Sequence, residues 1–137
     1  MLVKDAMTWS PAEVVPGDSI TTAARLMRTH GVGLLPVVES KLYRQLLGVV
    51  TDRDLVVRAM AEERASADHV RDVMTPAPVA TIGPLDSVDR ALAAMDAARV
   101  RRLPVVDEDE IVLGVISRVD IARLTASSVG AYIGHDL

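Results

Sequence analysis

Apolar residues recur at helical spacing over Ile20, Ala23, Ala24 and Met27, and the same stripe returns at Val88, Ala91, Leu92 and Met95. Each stripe follows an acid, Asp18 or Asp86, which is expected to cap the helix by accepting from its unpaired N–H groups. The first helix is expected to stop at His30-Gly31, where glycine supplies a left-handed terminus. Short aliphatic runs come next, at residues 34–38 and 103–106, and again at 46–50 and 111–116. Runs of this length without polar alternation predict buried strands. The connectors E-S-K-L-Y-R-Q and D-E-D-E are short and polar, so the strands they join are expected to be antiparallel. A second helix is expected after Thr51 and after Ser117, and a short strand at residues 79–82, echoed at Val14-Val15, before the first helix. Each half of the chain therefore reads β-α-β-β-α.

The two halves are written in the same order. V-K-D-A-M-T at Val3 returns as V-R-D-V-M-T at Val70, L-P-V-V at Leu35 returns at Leu103, and G-V-V-T-D-R-D at Gly48 returns as G-V-I-S-R-V-D at Gly114. A repeat of this length means two copies of one supersecondary unit, each too small to bury its apolar face alone. The expected fold class is α+β, with two β-α-β-β-α repeats packed in pseudo-two-fold symmetry as one pair. The expected boundaries are 1–66 for the first repeat with its linker, 67–124 for the second, and 125–137 for a C-terminal tail. Residues 61–69, small and polar, serve as the linker, and the tail, with Tyr132 and Ile133, is expected to fray rather than dock.

Composition narrows the function. Half of the 137 residues are hydrophobic, yet there is no Phe, one Trp and two Tyr, so the core must be aliphatic and a base-stacking surface for single-stranded nucleic acid lacks its equipment. A net charge of -4 gives no broad attraction for a phosphate backbone, and nucleic acid is not an expected partner. With no Cys there are no thiolate nucleophiles, disulfides or Cys-ligated metals, in keeping with a reducing compartment. The first residues lack an apolar signal core, and no apolar run approaches the roughly 20 residues that span a bilayer. The expectation is a soluble cytoplasmic protein without a membrane partner.

His30, His69 and His135 are isolated and lack metal-ligand spacing, and the acidic run Asp107 to Glu110 reads as a charged hairpin turn, so no metal site is expected. Met7 and Met74 read as core or rim contacts. Carboxylates and hydroxyls are present, but no His stands near them and nothing resembles an activated nucleophile, so no catalytic residue is assigned and no enzyme is expected. Thr51 with Asp54, and Ser117 with Asp120, have two readings: helix caps with first-turn acids, or a phosphate- and ribose-binding helix entrance.

Taken in order, the repeated D-x-M-T openings, the L-P-V-V strands and the two G-h-h-[ST]-x-x-D segments (h, apolar) resemble a tandem pair of cystathionine-β-synthase (CBS) domains, a Bateman module, over roughly residues 2–124. The resemblance implies a stand-alone regulatory module that binds AMP, ADP, ATP or a related adenosyl ligand such as NAD or S-adenosylmethionine in the cleft between its halves, with no cofactor required. It implies that Thr51 and Ser117 approach phosphate while Asp54 and Asp120 accept from ribose hydroxyls. It further implies that each site is completed by the other half. The first site would comprise Thr51, Asp54, Val79, Ala80, Val100, Arg101 and Arg102, and the second Ser117, Asp120, Ala12, Val14, Val32, Gly33 and Leu34. Since Arg101-Arg102 is replaced by Gly33-Leu34 in the second set, the Asp54 site is expected to be the stronger for phosphate, with Arg53 or Arg118 available to reach inward at the other. Family habit implies a homodimer, and a regulated partner protein is unidentified. The alternative is a structural or protein-interaction module with vestigial ligand sites.

Overall fold

Ser19 and Ser87, rather than the acids before them, cap the two 11-residue helices that carry the repeated apolar stripe. The structure, a computed structural model, describes the backbone of residues 1–134 and the side-chain surroundings of residues 1–126. Ser19 Oγ accepts the Thr22 N–H at 3.0 Å and opens α2 (Ile20–His30), and Ser87 Oγ accepts the Arg90 N–H at 3.0 Å and opens α4 (Val88–Ala98). Asp18 and Asp86 turn backwards, accepting the N–H groups of Val15 at 3.0 Å and Gly83 at 2.8 Å. The expected acid caps are thus corrected by one position: a carboxylate that far upstream closes the turn before the helix. Ser19→Ala and Ser87→Ala should each cost about 1 kcal/mol, read as a lower denaturant midpoint at unchanged slope. α2 ends where Gly31 takes φ 63°, while the matching end of α4 forces Arg99 to φ 56°.

The aliphatic runs form β2 (Leu34–Val38), β3 (Leu46–Thr51), β5 (Arg102–Val106) and β6 (Val112–Ser117). β2 and β3 pair antiparallel, as their short connector requires, with Leu34 opposite Thr51 and Pro36 opposite Val49. The short strands expected before each long helix shrink to single parallel bridges, Val14 with Val37 and Ile82 with Val105. Each sheet gains an unexpected third strand from a D-x-M-T opening. β4 (Thr75–Pro76) pairs with β3, and β1 (Thr8–Trp9) pairs with β6, giving sheet orders β2-β3-β4 and β1-β6-β5.

The openings have changed places relative to the sequence repeats. One compact unit comprises Met1–Trp9, Ala80–Val106 and Leu113–Leu137; the other comprises Ser10–Val79 and Asp107–Val112. In the first unit, α1 (Val3–Ala6) brings Val3, and the following turn brings Met7, into a core with Ile82, Val88, Met95, Leu103, Val105, Ile116 and Ile121. In the second, Val70 and Val73, at the 3-10 turn Val70–Asp72, join Val14, Ile20, Met27, Leu35, Val37 and Val50. Both cores are aliphatic with methionine. A fragment of residues 1–66 carries Val3 and Met7 without their core and lacks Val70 and Val73, so it should be unfolded or self-associated by circular dichroism and light scattering.

Thr51 caps a helix whose first turn, α3 (Asp52–Asp54), runs into a π-helical stretch, Leu55–Met60. Ser117 opens α5 (Arg118–Gly134), whose backbone is helical as far as Gly134, within the segment expected to fray; the side chains of Tyr132 and Ile133, and all of His135, lie outside the described residues. Asp107 builds the expected turn, its Oδ1 accepting the N–H groups of Asp109 and Ile111. Among the described residues no helix is long and apolar enough to cross a membrane.

Candidate functional site

The two G-h-h-[ST]-x-x-D segments fold into the same object. At each, a strand ends, a hydroxyl caps the helix that follows, and the acid three residues on reaches back to the cap. Thr51 Oγ1 accepts the Asp54 N–H at 3.0 Å and Asp54 Oδ2 accepts the Thr51 N–H at 3.0 Å. Ser117 Oγ accepts the Asp120 N–H at 3.0 Å and Asp120 Oδ2 accepts the Ser117 N–H at 3.2 Å. This reciprocal cap settles the local question of why these residue types stand at this spacing. It leaves chemistry unspent, because an ionised carboxylate accepts about four hydrogen bonds and a cap uses one.

Glycine is needed at the start of both segments for space. A Cβ on Gly48 would lie 2.6 Å from Met74 Cε and 2.9 Å from Pro76 Cα, and one on Gly114 would fall on the Thr8 carbonyl oxygen and Met7 Cε. The exchanged openings cross the strand at this point, so Met7 and Met74 sit at the crossings, as core and rim contacts.

Beyond the shared cap, the segment before each L-P-V strand is fastened to the helix entrance of its own repeat. The Asp52 N–H donates to the Gly33 carbonyl at 2.9 Å, and the Arg118 N–H donates to the Arg101 carbonyl at 3.0 Å. In the unit that holds Asp54, the neighbours of the entrance are therefore buried Gly33 and Leu34, with exposed Val32 before them. In the unit that holds Asp120, they are exposed Val100 and Arg101, and half-buried Arg102 at the start of β5. Among the described residues neither Arg101 nor Arg102 belongs to an ion pair, whereas Arg118 is taken by Asp96. Arg53 is exposed. Of the remaining expected residues, Val14 is fully buried in its core and Ala12 packs beside it. Val79 is half-buried and Ala80 exposed.

Sequence reasoning passed over three residues, two of which shape the Asp54 entrance. Thr75 Oγ1 lies 3.3 Å from both oxygens of Asp54, and Arg58 Nε lies 3.7 Å from Oδ1. Farther off, buried Glu13 receives Arg44 Nε at 2.7 Å and ties the β2–β3 connector to the Val14 bridge. Thr75 had a signal, since it closes the repeated opening; Arg58 and Glu13 have no counterpart in the repeat and no motif to flag them.

The family model for the CBS domain matches residues 3–60 and again 70–127. The chain belongs to the CBS domain family. As a tandem CBS protein it is similar to the CBS domain-containing protein YhcV of Bacillus subtilis (strain 168), 39% identical over 131 residues that cover 94% of this chain and 90% of that one. Among solved structures it is similar to the CBS domain pair of protein MJ0100 in complex with 5'-methylthioadenosine and S-adenosyl-L-methionine, with a TM-score of 0.81 at 28% identity over 93% of this chain and 98% of that one. It is likewise similar to CBSX2 in complex with AMP, with a TM-score of 0.77 at 27% identity over 92% of this chain and 97% of that one. The expected fold, a mixed α and β pair of CBS repeats, is the fold observed.

Proposed function

We propose that this CBS pair is a regulatory module that binds an adenosyl ligand, AMP, ADP or ATP in the first instance, and that the Ser117–Asp120 entrance is its stronger half-site. The observation that carries this is the state of the Asp120 carboxylate. One oxygen closes the cap while the other has no hydrogen-bond partner among the described residues, in a half-buried setting at a helix entrance whose first N–H is tied to the Arg101 carbonyl. A ribose diol donates two hydrogen bonds to such a group, and the guanidinium pair suits the phosphate. Expectation from sequence gave the Arg pair to Asp54; the Arg101–Arg118 hydrogen bond within one unit supports giving it to Asp120. The ligands bound by the MJ0100 pair and by CBSX2 support the adenosyl class.

Thermal unfolding with AMP, ADP, ATP and S-adenosylmethionine tests the proposal, because a ligand selective for the folded state raises the melting temperature by mass action. A rise of several degrees with at least one of the four is expected at millimolar concentration, and no rise with any of them rejects the reading.

A second reading has its own observation. Val56, Val57 and Met60 are 55%, 49% and 74% exposed on one short helical stretch, an apolar surface suited to a homodimer or a regulated partner. Native mass spectrometry of the free protein reads the oligomer directly, and a dimer without ligand response favours this interaction role.

A further inference from the structure

The two helix entrances share a backbone cap and differ in what else reaches the acid. Asp54 is 7% exposed, and two groups besides its cap stand against it. The Thr75 hydroxyl stands 3.3 Å from each carboxylate oxygen, Arg58 Nε stands 3.7 Å from Oδ1, and Arg58 Nη1 donates to the Met74 carbonyl at 3.0 Å. The guanidinium thus straddles the acid and the Met74 carbonyl, one residue before the strand β4 that carries Thr75. At the second entrance the equivalent of Arg58 is Leu124 and the equivalent of Thr75 is Thr8, which is exposed and makes no side-chain hydrogen bond to Asp120 among the described residues.

We infer that the first entrance is shut from within: the Thr75 hydroxyl, donating its one proton to the Asp54 carboxylate, and the Arg58 guanidinium, standing against Oδ1, occupy the side of the acid that a ribose diol needs, so the chain takes ligand at Asp120 and holds Asp54 in reserve. The inference rests on the adenosyl reading above and names what regulates it. Thr75 imitates one ribose hydroxyl, donating to the same carboxylate, and Arg58 neutralises the charge that makes the carboxylate a strong acceptor. A ligand that enters must displace the hydroxyl, and the displaced group loses its partner in a site with little water, which raises the cost of exchange. Since Thr75 lies in β4, paired to β3 through Val49, opening the entrance moves an edge strand and couples occupancy to the segment from Val70 to Pro76.

Titration calorimetry of the full chain with AMP decides it. Wild type should bind one equivalent, lost in Asp120→Ala. The double variant Thr75→Val, Arg58→Gln should bind two, the second removed again by Asp54→Asn, while Thr75→Ser, which keeps the hydroxyl, should remain at one. Melting curves establish that each variant is folded, and Thr75→Val alone, nearly isosteric, serves if the double variant is not. A wild type that already binds two equivalents, or a folded open variant that still binds one, overturns the internal gate and leaves the adenosyl reading standing. A wild type that binds none beside an open variant that binds one through Asp54 supports the gate and rejects the Asp120 assignment. If neither protein binds AMP, the gate falls, and the adenosyl reading falls with it when ADP, ATP and S-adenosylmethionine also leave the melting temperature unchanged.

Discussion

Gly114→Ala and Gly48→Ala should each lower the melting temperature by roughly 10 °C, a loss of about 3 kcal/mol, at the upper end of what overpacking costs. The magnitude follows from what the added methyl meets. At Gly48 the Thr75 carbonyl oxygen and the Pro76 Cα, both backbone, stand where the methyl would go, and at Gly114 the Thr8 carbonyl does. A methionine side chain can swing aside; a strand paired to its neighbour cannot. Two other glycines make the comparison internal. Gly31 has open space around its Cβ position but takes φ 63°, so alanine there should cost about 1 kcal/mol. Gly17 has no positive φ and only an Arg71 guanidinium nitrogen at 3.9 Å, so alanine should be nearly silent. Differential scanning calorimetry of the four variants checks the order. If Gly114→Ala melts with wild type, β1 does not cross β6 as described.

The second large effect is on binding. Asp120→Ala should weaken AMP by tenfold to more than a hundredfold, since hydrogen bonds to a charged acceptor contribute about 1.5 to 3 kcal/mol each and about 1.4 kcal/mol is a factor of ten. Asp120→Asn separates charge from cap, because the amide oxygen still accepts the Ser117 N–H while the anion is gone; it should keep the melting temperature and lose much of the affinity. Arg101→Ala together with Arg102→Ala should weaken AMP far more than adenosine, as only the former brings a phosphate. Asp54→Ala should leave AMP affinity within a few-fold and instead lower stability by about 1 kcal/mol through the lost cap. The reverse pattern, with AMP lost in Asp54→Ala and kept in Asp120→Ala, would return the ligand to the first entrance.

How much of this was readable in advance depends on the length scale of each feature. α2 and α4 and the strands β2, β3, β5 and β6 were legible because each carries its own pattern, a helical stripe or an unbroken aliphatic run. β1 and β4 were not, since two residues have no period; the repeated D-x-M-T opening marked them as important without saying that each would be adopted by the other repeat's core. The serine caps were obscured because Asp and Ser stand side by side and both residue types favour that position. Thr51, Asp54, Ser117 and Asp120 were legible as a pattern, and their reciprocal caps follow from it. Which loop is tied to which helix entrance within a unit was not, because spacing along a chain does not say which of two similar loops folds back. The Arg101–Arg118 and Gly33–Asp52 hydrogen bonds answer that within each unit.

The exchange of opening segments also sets an order of assembly as the chain leaves the ribosome. The core around Val14 and Leu35 can finish once Val70 and Val73 have emerged, whereas Val3 and Met7, made earlier, stay without their partners until Ile116 and Ile121 follow. Contacts so distant in sequence close slowly. During synthesis the segment of Val3 and Met7 thus emerges before both cores and is among the last to be covered, and it is this segment, rather than the helices or the main strands, that a nascent-chain chaperone or a neighbouring copy on the same messenger would meet.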